Sequence, residues 1–93
     1  MSFTARHIRI YHRILGAAHL YNIVPTQAQL NFLKMIHFIL KQVINTFPRG
    51  NQRTQQFNQW NQEGRFINRL ELARMNMNMR GRRVSNQSNR TRN

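Results

Sequence analysis

Residues 30–47 read LNFLKMIHFILKQVINTF, and eleven of these positions are apolar: Leu30, Phe32, Leu33, Met35, Ile36, Phe38, Ile39, Leu40, Val43, Ile44 and Phe47. At 100° per residue they cover nearly the whole circumference of a helix, which predicts a central helix with neighbours on more than one side. A membrane span is the competing reading of such a run. Lys34, His37 and Lys41 interrupt it, leaving too few continuous apolar residues for a hydrocarbon core of roughly 30 Å. The boundaries are marked. Upstream, Asn22-Ile-Val-Pro25-Thr26 reads as a turn because Pro25 disfavours the α region for Val24, and Thr26-x-x-Gln29 fits a capping box. Downstream, Phe47-Pro48-Arg49-Gly50-Asn51 ends the helix, since proline cannot continue it. The predicted span is 27–47.

Working outward, residues 5–21 place Ile8, Tyr11, Leu15 and Ala18 at helical steps, widened by Ile10, Ile14 and Ala17, with Ser2 or Thr4 available as N-cap. The polar face of this helix carries Arg6, His7, Arg9, His12 and Arg13 and no acid. A third helix is predicted over 55–75, capped by Asn51 or Thr54, with a stripe of Phe57, Trp60, Ile67 and Leu70. Gly64 falls where the next large residue belongs. Glycine inside a helix costs about 1 kcal/mol against alanine, so it marks a close approach by another element. Met75, Met77 and Met79 alternate with Asn, which predicts fraying. The last fourteen residues, 80–93, hold five Arg and one apolar side chain, and a segment of that composition takes up structure only against a partner. The fold expected is all-α: a three-helix bundle over 1–79 followed by a basic extended tail over 80–93. Its core is expected to join Leu33, Ile36, Leu40, Phe47, Trp60 and Ile67.

Ninety-three residues support one small core. With no cysteine there is no disulfide framework, so extra stability must come from a partner. Fifteen basic residues against two acidic ones give +13, and thirteen of the fifteen are Arg. Such a chain repels itself unless something negative binds it. The only carboxylates, Glu63 and Glu71, leave almost no toolkit for acid–base, nucleophilic or metal chemistry, so the sequence argues against an enzyme. His12 and His19 share a helix but lack a third ligand nearby, and no metal site is expected. Trp60 and the phenylalanines fall at core spacing, which favours packing over base stacking. The arginines are harder to read as a solvated face, because such a face mixes both signs. Arg presents a planar fork to phosphate or carboxylate, so Arg65, Arg69, Arg80, Arg82, Arg83, Arg90 and Arg92 are candidate contacts to a polyanion or acidic partner.

Two stretches carry a family resemblance. Ile10-Tyr11-His12-Arg13-Ile14-Leu15 resembles the Leu-Tyr-Arg signature on the first helix of the mitochondrial LYR-motif proteins, of the kind found with respiratory complex I. Val43-Ile44-Asn45-Thr46-Phe47-Pro48-Arg49-Gly50-Asn51 is similar to that family's I-x-x-x-F-R-x-N stretch closing helix two, and Gly64 with Leu70 falls where the family has Gly and Leu in helix three. The resemblance covers roughly residues 5–72. It departs from the family in that His12 stands in place of the motif Arg, and Pro48 displaces the next Arg to position 49.

What the resemblance implies is a three-helix accessory subunit, without enzymatic activity, of a large mitochondrial assembly. That assembly would be a respiratory-chain complex, on the matrix side of the inner membrane or in the matrix. The partner implied is acyl carrier protein, an acidic protein whose 4′-phosphopantetheine-linked acyl chain enters between the helices; no cofactor is bound directly. On this reading Ile10 and Phe47 face the acyl chain, Tyr11 sits at the tunnel mouth, and His12 or Arg13 with Arg49 meets the acidic partner. The basic, acid-free N-terminus also suits a mitochondrial address, expected to stay uncleaved. The rival from a different class is a mitochondrial ribosomal protein that lays its Arg-rich face and tail on rRNA.

Overall fold

The structure, a computed structural model, describes the backbone of residues 3–90 and side chains as far as Met79. Three helices follow in order: α1 Ala5–Tyr21, α2 Gln27–Asn45 and α3 Asn51–Arg90. Among the described residues there is no strand, and the all-α three-helix bundle is observed.

Local chemistry sets each start. At α2 the Gln29 backbone N–H donates to the Thr26 hydroxyl at 3.1 Å, while the Thr26 N–H donates to Gln29 Oε1 at 2.9 Å, so the capping box forms as read. At α1 the cap is Thr4, and His7 takes the role usually given to Glu or Gln: the Thr4 N–H donates to His7 Nδ1 at 3.0 Å. Asn22 in the left-handed region closes α1 (φ 54°). The second helix ends two residues earlier than the expected Phe47. Thr46 and Phe47 turn their N–H groups onto Val43 and Ile44 carbonyls at 3.0 Å each, a tightened last turn ahead of Pro48.

The third helix differs most from expectation. It begins at Asn51, with Gly50 at φ +153° ahead of it and the Gly50 carbonyl accepting from the Thr54 N–H at 3.1 Å. Neither Asn51 nor Thr54 caps it. At the other end the backbone runs helically through the Met-Asn repeat to Arg90, where fraying and then an extended tail were expected. Adding a residue to an existing helix costs far less than nucleating one, and after Gly64 only Gly81 interrupts a run free of proline. Forty residues make about 60 Å of helix, matching a long dimension of 63 Å.

Tyr11, Leu15 and Ala18 of α1, Leu30, Leu33 and Ile36 of α2, and Ile67 and Leu70 of α3 form one buried core. Leu40 packs against it. Trp60 and Phe47, both expected inside, are only half-buried. Trp60 tips toward the surface of the α2–α3 pair, and Phe47 falls beyond the last turn of α2. α2 packs between α1 and α3, as its composition predicts, yet its third side is open: Phe38 is 65% exposed and Met35 49%.

Candidate functional site

Antiparallel connections bring the start of α1, the end of α2 and the start of α3 to one end of the bundle. There a small cavity of about 110 Å³ takes lining residues from all three helices, among them His12, Leu40, Ile44, Phe47, Gln59 and Glu63. His12 and Phe47 share this cavity, although the resemblance pairs Phe47 with Ile10 and His12 with Arg49. The outer face of α1 carries a basic ridge. Arg6, Arg9 and Arg13, spaced three and four apart, are all exposed on the side of α1 opposite the buried Tyr11, Leu15 and Ala18.

Other residues expected at this site lie elsewhere. Tyr11 is not at a mouth: it is fully buried at the centre of the bundle. Ile10, turned about 100° from Tyr11 on the helix, is half-buried and does not line the cavity. Arg49 belongs to a separate recess of about 430 Å³ at the α2–α3 turn, with Arg53, Thr54 and Phe57. Arg65 and Arg69 are exposed on α3. The side chains of Arg80, Arg82, Arg83 and Arg90, and all of Arg92, lie outside the described residues.

The buried Tyr11 anchors a polar network that joins the three helices. Its hydroxyl donates to Glu63 Oε1 of α3 at 2.9 Å and lies 3.1 Å from His37 Nδ1 of α2. With the phenolic hydrogen given to Glu63, His37 Nδ1–H donates to the phenol oxygen, leaving Nε2 as the unprotonated nitrogen. Glu63 Oε2 also accepts from Gln59 at 3.1 Å. Burial raises the Tyr11 pKa well above the ordinary phenol value, and the Glu63 carboxylate adds to the effect. His37 goes the other way: burial lowers it below the ordinary imidazole value, against an opposing pull from Glu63. The neutral ring stacks on Trp60 at 4.2 Å between centroids and 6° between planes, and the Trp60 indole N–H donates to the His37 carbonyl at 2.7 Å.

Gly64 explains why this fits. A Cβ at position 64 would stand 2.8 Å from His37 Nε2, so the close approach inferred from the sequence is that of the His37 ring. The network itself was missed, although a signal existed: one of only two acids sits beside the glycine on the inward face of α3. Arg74 donates from Nε to the Pro25 carbonyl at 3.1 Å and fixes the α1–α2 turn to α3.

No family model, curated protein or solved structure matches the chain. Among the described residues no helix is long and apolar enough to cross a membrane, and no three potential metal ligands group together.

Proposed function

We propose that this chain is a non-enzymatic helical accessory subunit of a large mitochondrial assembly of the respiratory chain, and that it docks acyl carrier protein in the manner of LYR-motif proteins. The observation that carries the reading is the meeting of His12 and Phe47 at a cavity between the helices, on a molecule whose first helix turns Arg6, Arg9 and Arg13 outward. An acid-free ridge suits an acidic protein surface, and the Leu40, Val43, Ile44 and Phe47 side of the cavity suits a tethered chain. Residence in an assembly also accounts for the bare apolar surface at the end of α1, where Leu20 is 73%, Tyr21 70% and Ile23 52% exposed. The test is calorimetric titration with acyl carrier protein carrying acyl chains of different lengths. Binding should strengthen with chain length and be lost on reversing Arg6, Arg9 and Arg13 to Glu. Length-independent binding that survives the reversal contradicts the proposal.

A second reading, a ribosomal protein on rRNA, draws support from α3. Beyond the contact of Arg74 with Pro25 the helix runs on to Arg90, and the sequence after Glu71 contains no acid. An arm making about five phosphate contacts would lose roughly 3.5–4.5 log units of affinity per tenfold rise in salt.

A further inference from the structure

On the side of the molecule away from α1, helices α2 and α3 enclose a groove of about 540 Å³ that the docking reading leaves unused. Its size lies within the range of small-ligand sites. The floor is built from rings and aliphatic carbon: His37 and Trp60 stacked face to face, with Ile67 beside them and the largely exposed Phe38 on the lip. The charge is distributed unequally along it. Both lysines of the chain line this groove. At one end Lys34 Nζ is neutralised by Glu71 Oε2 at 2.8 Å. Toward the other, Lys41 has no carboxylate partner among the described residues, and its ammonium sits 5.3 Å from the Trp60 ring centroid. The amides of Gln42 and Asn45 line the groove from the same part of α2.

One unpaired cation, flanked by amide donors and facing an aromatic floor, selects a specific chemistry. The geometry points to this groove as a binding site for a small aromatic monoanion, with its ring against Phe38, Ile67 and the edge of the His37–Trp60 stack and its single negative group on Lys41. A dianion is disfavoured because Glu71 holds the second lysine. A neutral aromatic leaves Lys41 unused. The Lys41–Trp60 contact keeps the ammonium over the groove before any ligand arrives, which reduces the ordering cost of binding.

Trp60 is the sole tryptophan, so its indole N–H gives a single NMR signal at the floor of the site. The experiment titrates naphthalene-2-sulfonate, and its neutral sulfonamide, into the isotopically labelled full chain. The sulfonate should shift the Trp60 indole and Lys41 signals saturably, and the sulfonamide should bind about tenfold more weakly, the equivalent of one charge-assisted hydrogen bond. Lys41→Gln should weaken the sulfonate to the level of the sulfonamide, with Arg69→Gln, which removes one positive charge from an exposed position of α3 outside the groove, as the control that leaves it bound. An unmoved indole signal in a well-dispersed spectrum overturns the proposal. So does a sulfonate response spread over Arg6, Arg9 and Arg13, which is general attraction to a +13 chain. Equal binding of both probes, unchanged in Lys41→Gln, would make the groove an apolar seat for a partner helix and overturn it as well.

Discussion

The two halves of α3 are one continuous helix with different reasons to exist. From Asn51 to Arg74 it is tied to its neighbours by Trp60 on the His37 carbonyl, Glu63 on Tyr11, Ile67 and Leu70 in the core, Glu71 on Lys34 and Arg74 on Pro25. From Met75 onward the described side chains face water: Met75 is 50%, Met77 49% and Met79 52% exposed. The first half is held by burial and the second by propagation from the first. A helix can therefore be long without its whole length being stabilised by packing.

The contrast predicts a steep gradient of mutational cost, largest at the centre. Tyr11→Ala should destabilise by about 3–5 kcal/mol, as for other large-to-small core changes, because it opens the core and strips Glu63 of its phenol partner. Met77→Ala, on the same chain, should stay within about 0.5 kcal/mol. Urea denaturation of both variants measures the gap, and comparable losses would break the comparison.

Next come the glycines. Gly64→Ala must displace a His37 ring held by Tyr11 and Trp60, so a net loss of about 1–2 kcal/mol is expected even after the gain in helix propensity. Gly81→Ala should instead increase helical circular dichroism, since only propensity, worth about 1 kcal/mol, is at stake. Opposite signs within one helix are the expected result.

Acidification should act on the packed half alone. His37 has a lowered pKa when folded, so the unfolded chain binds its proton first; stability is full above the unfolded value of about 6.5 and falls as pH drops below it. Tyr11, raised when folded, adds the mirror image: stability is lost as pH climbs past the unfolded value of about 10. Melting temperature against pH should decline at both ends, and His37→Gln should flatten the acid side. The smallest effect is Lys34→Ala at about 0.5 kcal/mol, because the Lys34 side chain is half exposed and its pairing with Glu71 is screened by water.

This gradient also separates what the sequence disclosed from what it did not. Thr26 and Gln29 announced the start of α2 because a capping box is local chemistry, and Gly64 announced a close approach because only a missing side chain permits one. The stripe Tyr11, Leu15 and Ala18 was legible from its period. The end of α3 was not, since a polar, Arg-rich segment attached to a helix has the same composition as one that is extended. Nor was the polar network around Tyr11: the period puts the tyrosine on the buried stripe but does not name the carboxylate fifty-two positions away that accepts its hydrogen bond. Of the candidate docking residues, spacing placed the α1 arginines on one face, whereas the separation of Arg49 from Phe47 depends on how the Pro48 turn is traversed.

The most direct test of the docking account divides the molecule at the same place. Full-length chain, a deletion of residues 80–93 and a Phe47→Ala variant are each used to capture acyl carrier protein loaded with a long acyl chain. The account predicts that the deletion still captures it, because the His12–Phe47 cavity and the α1 ridge are intact. Phe47→Ala, costing about 1–2 kcal/mol of lost apolar contact, should weaken capture and remove its dependence on chain length. Loss of capture in the deletion, with Phe47→Ala unaffected, would contradict it and assign the partner to the arginine-rich end.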